Sequence, residues 1–210
     1  MHASTSAPTA STGAASRSLR WRVVDIVVAS VLGVAAGLIF LLWNIGYLGP
    51  KTLLEPLAPG LQGLLDGPWL FAGVLGALII RKPGAAIYTE TLAAVVSALV
   101  GNTWGGFLTI EAGLVQGLGA ELIFLIFLYK KWNLPVAILA GAGAALAGGI
   151  NNLVLWFAGA DALFTTVYLF STVLSGAVIA GAGSWLIARG LAATGALDRF
   201  ASGREARARV

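Results

Sequence analysis

The 210-residue sequence has no cysteine, a single histidine at position 2, and only 10% charged residues. Without cysteine there is no disulfide, no thiolate metal site and no cysteine nucleophile. With its one imidazole at the second residue, nothing supports Ser-His-Asp catalysis or a histidine-ligated metal. A Gly-x-x-x-x-Gly-Lys-Ser/Thr loop is missing as well, so ATP phosphates are not cradled here in the usual way. No nucleophile, metal set or general base pair stands out, and the chain reads as a non-enzyme that needs no cofactor.

What is present in excess is apolar surface. Hydrophobic residues make up 58% of the chain and the mean hydropathy is +0.89. Such a chain cannot cover itself with polar groups, so its solvent is lipid. Six long apolar stretches divide it, and the cations fall in alternate gaps. Arg17, Arg20 and Arg22 precede the first stretch, Arg81 and Lys82 follow the second, Lys130 and Lys131 the fourth, and Arg189, Arg199, Arg204, Arg207 and Arg209 the sixth. Lys51 alone lies in the other set of gaps. Cytoplasmic loops collect Lys and Arg, so the pattern predicts an all-α integral membrane protein of the cell membrane, with six transmembrane helices and both termini cytoplasmic. The formal charge of +4 sits at helix ends rather than on one face. It reads as topology anchoring, not as a nucleic-acid surface.

About 20 helical residues cross a bilayer core. The spans are expected at Val24 to Trp43, Leu64 to Ile80, Ala85 to Gly101, Phe107 to Tyr129, Leu134 to Phe157 and Thr166 to Ala188. Three regions follow: a cytoplasmic tail 1–22, a six-helix domain 23–189 and a basic cytoplasmic tail 190–210. Ala3 to Ser16, almost wholly Ala, Ser, Thr, Pro and Gly, is expected to be disordered. The long outer connection Gly46 to Gly67 carries Pro50, Pro56 and Pro59 among leucines. It either lies along the membrane surface or folds over a cavity mouth. Ala29, Gly33 and Gly37 are four apart on the first helix. A small-residue stripe of this kind lets backbones approach closely, either within the chain or against another membrane subunit.

Ionisable groups inside a span are costly to insert. Glu90, Glu111 and Glu121 are such groups, and Glu90, with Ala94, Ser97 and Gly101 on its stripe, is the first choice for a ligand contact. Glu111, Gln116 and Glu121 step round their helix by about 140° each, so they cannot all face one site. Glu111 near the outer end is either a solvated rim residue or a contact, and Glu121 either a structural partner or a contact. Ala145, Gly149, Asn152 and Trp156 share one face of the fifth helix. Trp43, Tyr47, Trp104 and Tyr168 lie at the outer level with Asn102 and Asn152. They form either an aromatic belt at the headgroups or an outward-opening pocket for a flat, partly cationic heterocycle.

Three ordered motifs carry a family resemblance: Ile80-Arg81-Lys82-Pro83-Gly84-Ala85-Ala86 leading to Glu90, Gly101-Asn102-Thr103-Trp104-Gly105, and Gln116-Gly117-Leu118-Gly119-Ala120-Glu121. Over about Val24 to Ala188 the chain resembles the substrate-binding membrane subunits, or S components, of energy-coupling factor transporters, in the thiamine-related YkoE-type group. The resemblance implies capture of thiamine or its hydroxymethylpyrimidine precursor from outside. It also implies delivery with a membrane coupling subunit and two ATPase domains as partners. Glu90, Trp104, Gln116 and Glu121 carry over because they stand inside matched motifs. The stripe Ala29, Gly33, Gly37 resembles the docking face on the family's first helix, without its strict alanines. Two competing classes remain: an autonomous proton-coupled carrier that cycles an intramembrane glutamate, and a structural membrane protein with no small-molecule affinity.

Overall fold

The computed structural model describes residues 19–207, so the tail Ala3 to Ser16 and His2 lie outside the described residues. The architecture is helical: α1 Val23–Gly46, α2 Leu48–Leu54, α3 Phe71–Ile80, α4 Ala85–Val100, α5 Gly106–Ile126, α6 Leu134–Leu155, α7 Ala162–Ser175, α8 Ser184–Ala193 and α9 Ala201–Arg207. Two short 3-10 turns, Leu61–Leu65 and Gly67–Trp69, lead into α3, and π-helical turns over Gly176–Gly183 join α7 to α8 as one run.

Four of these helices are long and apolar enough to cross a bilayer: α1, α5, α6 and the continuous run Ala162–Ala193. The span expected at Leu64 to Ile80 is shorter as formed, while the one expected at Ala85 to Gly101 forms as α4. α3 has 10 residues, a rise of about 15 Å, because the residues before it are drawn into 3-10 turns. Nine of those ten residues are buried. A helix apolar on every face belongs in the middle of a bundle, and α3 is surrounded by α1, α4, α5, α6 and α8. α5 stops short of its expected end at Tyr129, since Leu128 and Tyr129 take left-handed φ values of 52° and 55° and fold the chain back.

Polar side chains fix the helix starts. Asn133 accepts a hydrogen bond from the Val136 amide at 3.2 Å to open α6, and Asp161 accepts one from the Phe164 amide at 2.8 Å to open α7. The α3–α4 turn needs left-handed backbone at Arg81 (φ 57°) and Gly84 (φ 83°). Glu121, reaching over from α5, accepts from the Gly84 amide at 2.6 Å and the Ala86 amide at 2.9 Å. These are free amides at the positive end of α4. Close by, the carboxylate of Asp25 is held by Arg22 at 2.8 Å and by Lys82, whose ammonium also donates to the Arg20 carbonyl.

The small-residue stripe of α1 packs inside the chain. Ala29, Gly33 and Gly37 are all buried, and they lie against α4. A Cβ at Gly37 would come within 2.6 Å of the Ala93 carbonyl oxygen, and one at Gly33 within 3.0 Å of Leu92. The α1 residues left exposed include Val23, Ile26, Val27, Val31, Val34, Leu38, Ile39, Leu42 and Ile45. Beyond α8, Leu197 and Phe200 are buried in the core, and Ser202 donates to the Ile79 carbonyl at 3.3 Å.

Candidate functional site: a cavity at one end of the bundle

The end of α1 carries Asn44 and Tyr47, the end of α4 carries Ala94 and Ser97, and the α4–α5 turn carries Asn102 and Trp104. Together with Gln116 of α5, Asn152 and Trp156 of α6, and Tyr168 and Thr172 of α7, they enclose a cavity of about 260 Å³. The connection from α1 to α3 closes it with Lys51, Gln62, Asp66 and Trp69. That volume suits a small organic molecule rather than a peptide.

One side is aromatic. Tyr47 meets Trp69 at 5.2 Å and Trp104 at 5.8 Å between ring centroids, and Trp104 meets Trp156 at 6.1 Å. These tilted and edge-on arrangements are the favourable ones for aromatic pairs. The indole N–H groups of Trp69 and Trp104 both donate to Asn44 Oδ1, at 2.8 and 3.2 Å, which fixes the two rings relative to α1. The Asn102 side chain shapes the turn that presents Trp104. It accepts from the Trp104 amide at 3.1 Å and donates to Thr109 Oγ1 at 2.9 Å.

The other side is polar. Tyr168 and Thr172 donate to Asp66 Oδ2 at 2.7 and 3.0 Å, and Asn152 donates to the Tyr168 hydroxyl at 2.8 Å. Phe157 and Phe164 flank Tyr168 at 5.2 and 5.8 Å. Asp66 is the only acid among the lining residues, and it lies in the connection outside the long apolar helices. The two hydrogen bonds favour its ionised form. The site therefore holds a carboxylate that a bound cation would stabilise in its charged state.

Seven of the eleven substrate-contact residues expected from the sequence are in this lining: Tyr47, Asn102, Trp104, Gln116, Asn152, Trp156 and Tyr168. Trp43, Glu90, Glu111 and Glu121 are not. Trp43 braces the connection from behind, donating to the Leu65 carbonyl at 3.0 Å and touching Trp69 at 6.3 Å. Glu90 is 1% exposed and accepts from the Gly73 amide at 2.6 Å, one turn below Ala94, so it joins α4 to α3. Glu111 accepts from Asn151 at 3.0 Å and ties α5 to α6. Glu121 caps α4 and accepts from the Tyr129 hydroxyl at 2.8 Å. All three glutamates make helix contacts, with Glu90 Oε1 buried and unpartnered.

Asp66, Trp69, Asn44 and Gln62 escaped the sequence reading. A signal for Asp66 existed, because it falls inside the expected span Leu64 to Ile80, where an ionisable residue needs a reason. Trp69 and Asn44 had none beyond position, since their roles come from a shared hydrogen-bond network between α1 and a distant turn.

Comparison with known proteins agrees with this architecture. Residues 24–147 match the family described as "ABC-type cobalt transport system, permease component". Among the described residues, no three His, Cys, Asp or Glu side chains form a group able to hold a metal ion. A curated relative from Bacillus subtilis (strain 168), the "Putative HMP/thiamine permease protein YkoE", is 36% identical over 192 residues, covering 88% of this chain and 92% of that one. A solved structure titled "Crystal structure of an S-component of ECF transporter" superposes with a TM-score of 0.83 at 34% identity, covering 90% of this chain and 95% of the other. With the cavity, the helical bundle and the apolar spans, these likenesses show that the chain is a membrane protein belonging to the family of S components of energy-coupling factor transporters, of the YkoE type: a substrate-binding, non-enzymatic subunit.

Proposed function

We propose that this chain captures thiamine or hydroxymethylpyrimidine from outside the cell and releases it inward in complex with a coupling subunit and ATPase subunits. In this reading six segments cross the membrane, with α3 and its preceding turns as the second and α4 as the third, and both termini face the cytoplasm. Support for the orientation comes from Arg20, Arg22, Arg81, Lys82, Lys130, Lys131 and Arg189, all at the bundle end opposite the cavity. The tails 1–22 and 190–210 then lie on the cytoplasmic side.

The single observation that carries the ligand class is the pairing, in one cavity, of the Tyr47–Trp69–Trp104–Trp156 wall with the carboxylate of Asp66. Thiamine joins an aminopyrimidine to a cationic thiazolium. Aromatic faces and a carboxylate serve the cation, while Asn152, Gln116 and Gln62 offer donors and acceptors to the pyrimidine. A proton-coupled carrier loses its main support, because Glu90, Glu111 and Glu121 each bridge helices instead of lining the cavity.

The test is tryptophan quenching of the purified, detergent-solubilised chain, titrated separately with thiamine and hydroxymethylpyrimidine. Three of the lining residues are tryptophans, so occupancy should be reported directly. Saturable submicromolar binding is expected, and the tighter ligand names the substrate. No response to either compound from protein shown to be folded overturns the reading.

A further inference from the structure

Gln62 has a place in the cavity wall that neither its local turn nor the hydrogen-bond network accounts for. Its side chain is only 8% exposed, and its Oε1 is enclosed with no hydrogen-bond partner. Three other acceptors of the lining are occupied: Asn44 Oδ1 by two indoles, Asn102 Oδ1 by the Trp104 amide, and Asp66 Oδ2 by two hydroxyls. A buried acceptor without a donor is costly and rare, and it marks a place where something else donates.

The backbone cannot swing to give Gln62 a partner within the chain. On one side of it Gly60 (φ 88°), and on the other Gly63, lie so close to α7 that a Cβ at either would come within 2.7 Å of Tyr168 backbone atoms. The following carbonyls are also tied down, Leu64 by Ser175 Oγ at 2.6 Å and Leu65 by the Trp43 indole at 3.0 Å. What remains free is the terminal amide torsion, which is soft. A turn about it re-aims Oε1 with no movement of the fold, and Gln62 is a lining residue of the cavity.

We propose that Gln62 is a specificity-determining residue of this site, its Oε1 accepting a hydrogen bond from the ring amino group of an aminopyrimidine ligand. This rests on the ligand reading above and assigns the amino group a partner. An acceptor oxygen rewards a donor and rejects the analogue that lacks one, because the amide is then left buried and unpaired. The amino group thus distinguishes the ligand from related pyrimidines in which hydrogen stands there.

The experiment titrates the full-length wild type, Gln62→Leu and Gln62→Met with hydroxymethylpyrimidine and with its analogue lacking the ring amino group. Melting temperature serves as the fold control. Wild type should prefer the amino compound by about tenfold, and that preference should vanish in both variants. The variants should melt no lower than wild type, since each replaces an unpaired amide with apolar atoms. An unchanged preference in Gln62→Met overturns the assignment alone. Failure of folded wild type to bind hydroxymethylpyrimidine overturns the assignment, and failure to bind thiamine as well overturns the ligand reading with it.

Discussion

The two ends of the bundle treat buried polar groups in opposite ways. Where α3 turns into α4, charges close on one another: Asp25 between Arg22 and Lys82, and Glu121 on the amides of Gly84 and Ala86 with the Tyr129 hydroxyl. At the other end the polar groups ring an open space of about 260 Å³, and one of them, Gln62 Oε1, is left without a partner. The first arrangement consumes its polar groups in holding helices together. The second holds them ready for something that is not protein. A chain this apolar keeps few charges, and their partners reveal which are structural and which face a ligand.

That contrast breaks most easily at the closed end. Asp25→Ala strips the buried Lys82 ammonium of its carboxylate, and an uncompensated buried charge costs about 3–5 kcal/mol. Thermal unfolding in detergent should fall steeply, and adding Lys82→Met should restore much of the loss. A double variant no more stable than Asp25→Ala would refute the pairing. At the open end the expected signature is reversed. Asp66→Asn should lower thiamine affinity by about 10- to 100-fold, equivalent to about 1.4–2.7 kcal/mol, while the melting temperature stays near that of wild type. The loss should be smaller for hydroxymethylpyrimidine, which lacks the fixed cation; equal losses for both ligands would remove the cation from Asp66.

A third comparison separates packing from partner docking on α1. Gly37→Val places a branched side chain against Ala93 and Val96 of α4, and overpacking of this kind costs about 1–3 kcal/mol. The isolated subunit should therefore lose stability without any partner present; an unchanged melt would return the stripe to a docking role.

The helices and the aromatic groups of the cavity were legible because each depends on near neighbours in the chain. Asn152 and Trp156 are four residues apart on one helix face, and Tyr47 and Trp104 stand at helix ends where apolar runs give way to turns. The glutamates were ambiguous for a physical reason. A carboxylate in an apolar span must have a partner, but the rule does not say whether that partner is a ligand or a backbone amide. For Glu121 it is the α4 terminus, 35 residues away in sequence. The α1 stripe is ambiguous in the same way, since close approach is encoded in the small residues while the neighbour is not.

The sequence by itself determined that lipid is the solvent, that apolar helices fill most of the chain, and where the cations gather. Composition, helix length and insertion cost act locally, and they need no knowledge of the fold. Only the tertiary structure decided that α3 is central, that α1 closes against α4, and that Asp66 and Gln62 rather than the glutamates stand at the cavity. Those outcomes depend on which helices meet, and a hydrogen bond between α7 and a turn about a hundred residues earlier, such as Tyr168 to Asp66, leaves no local trace in either segment.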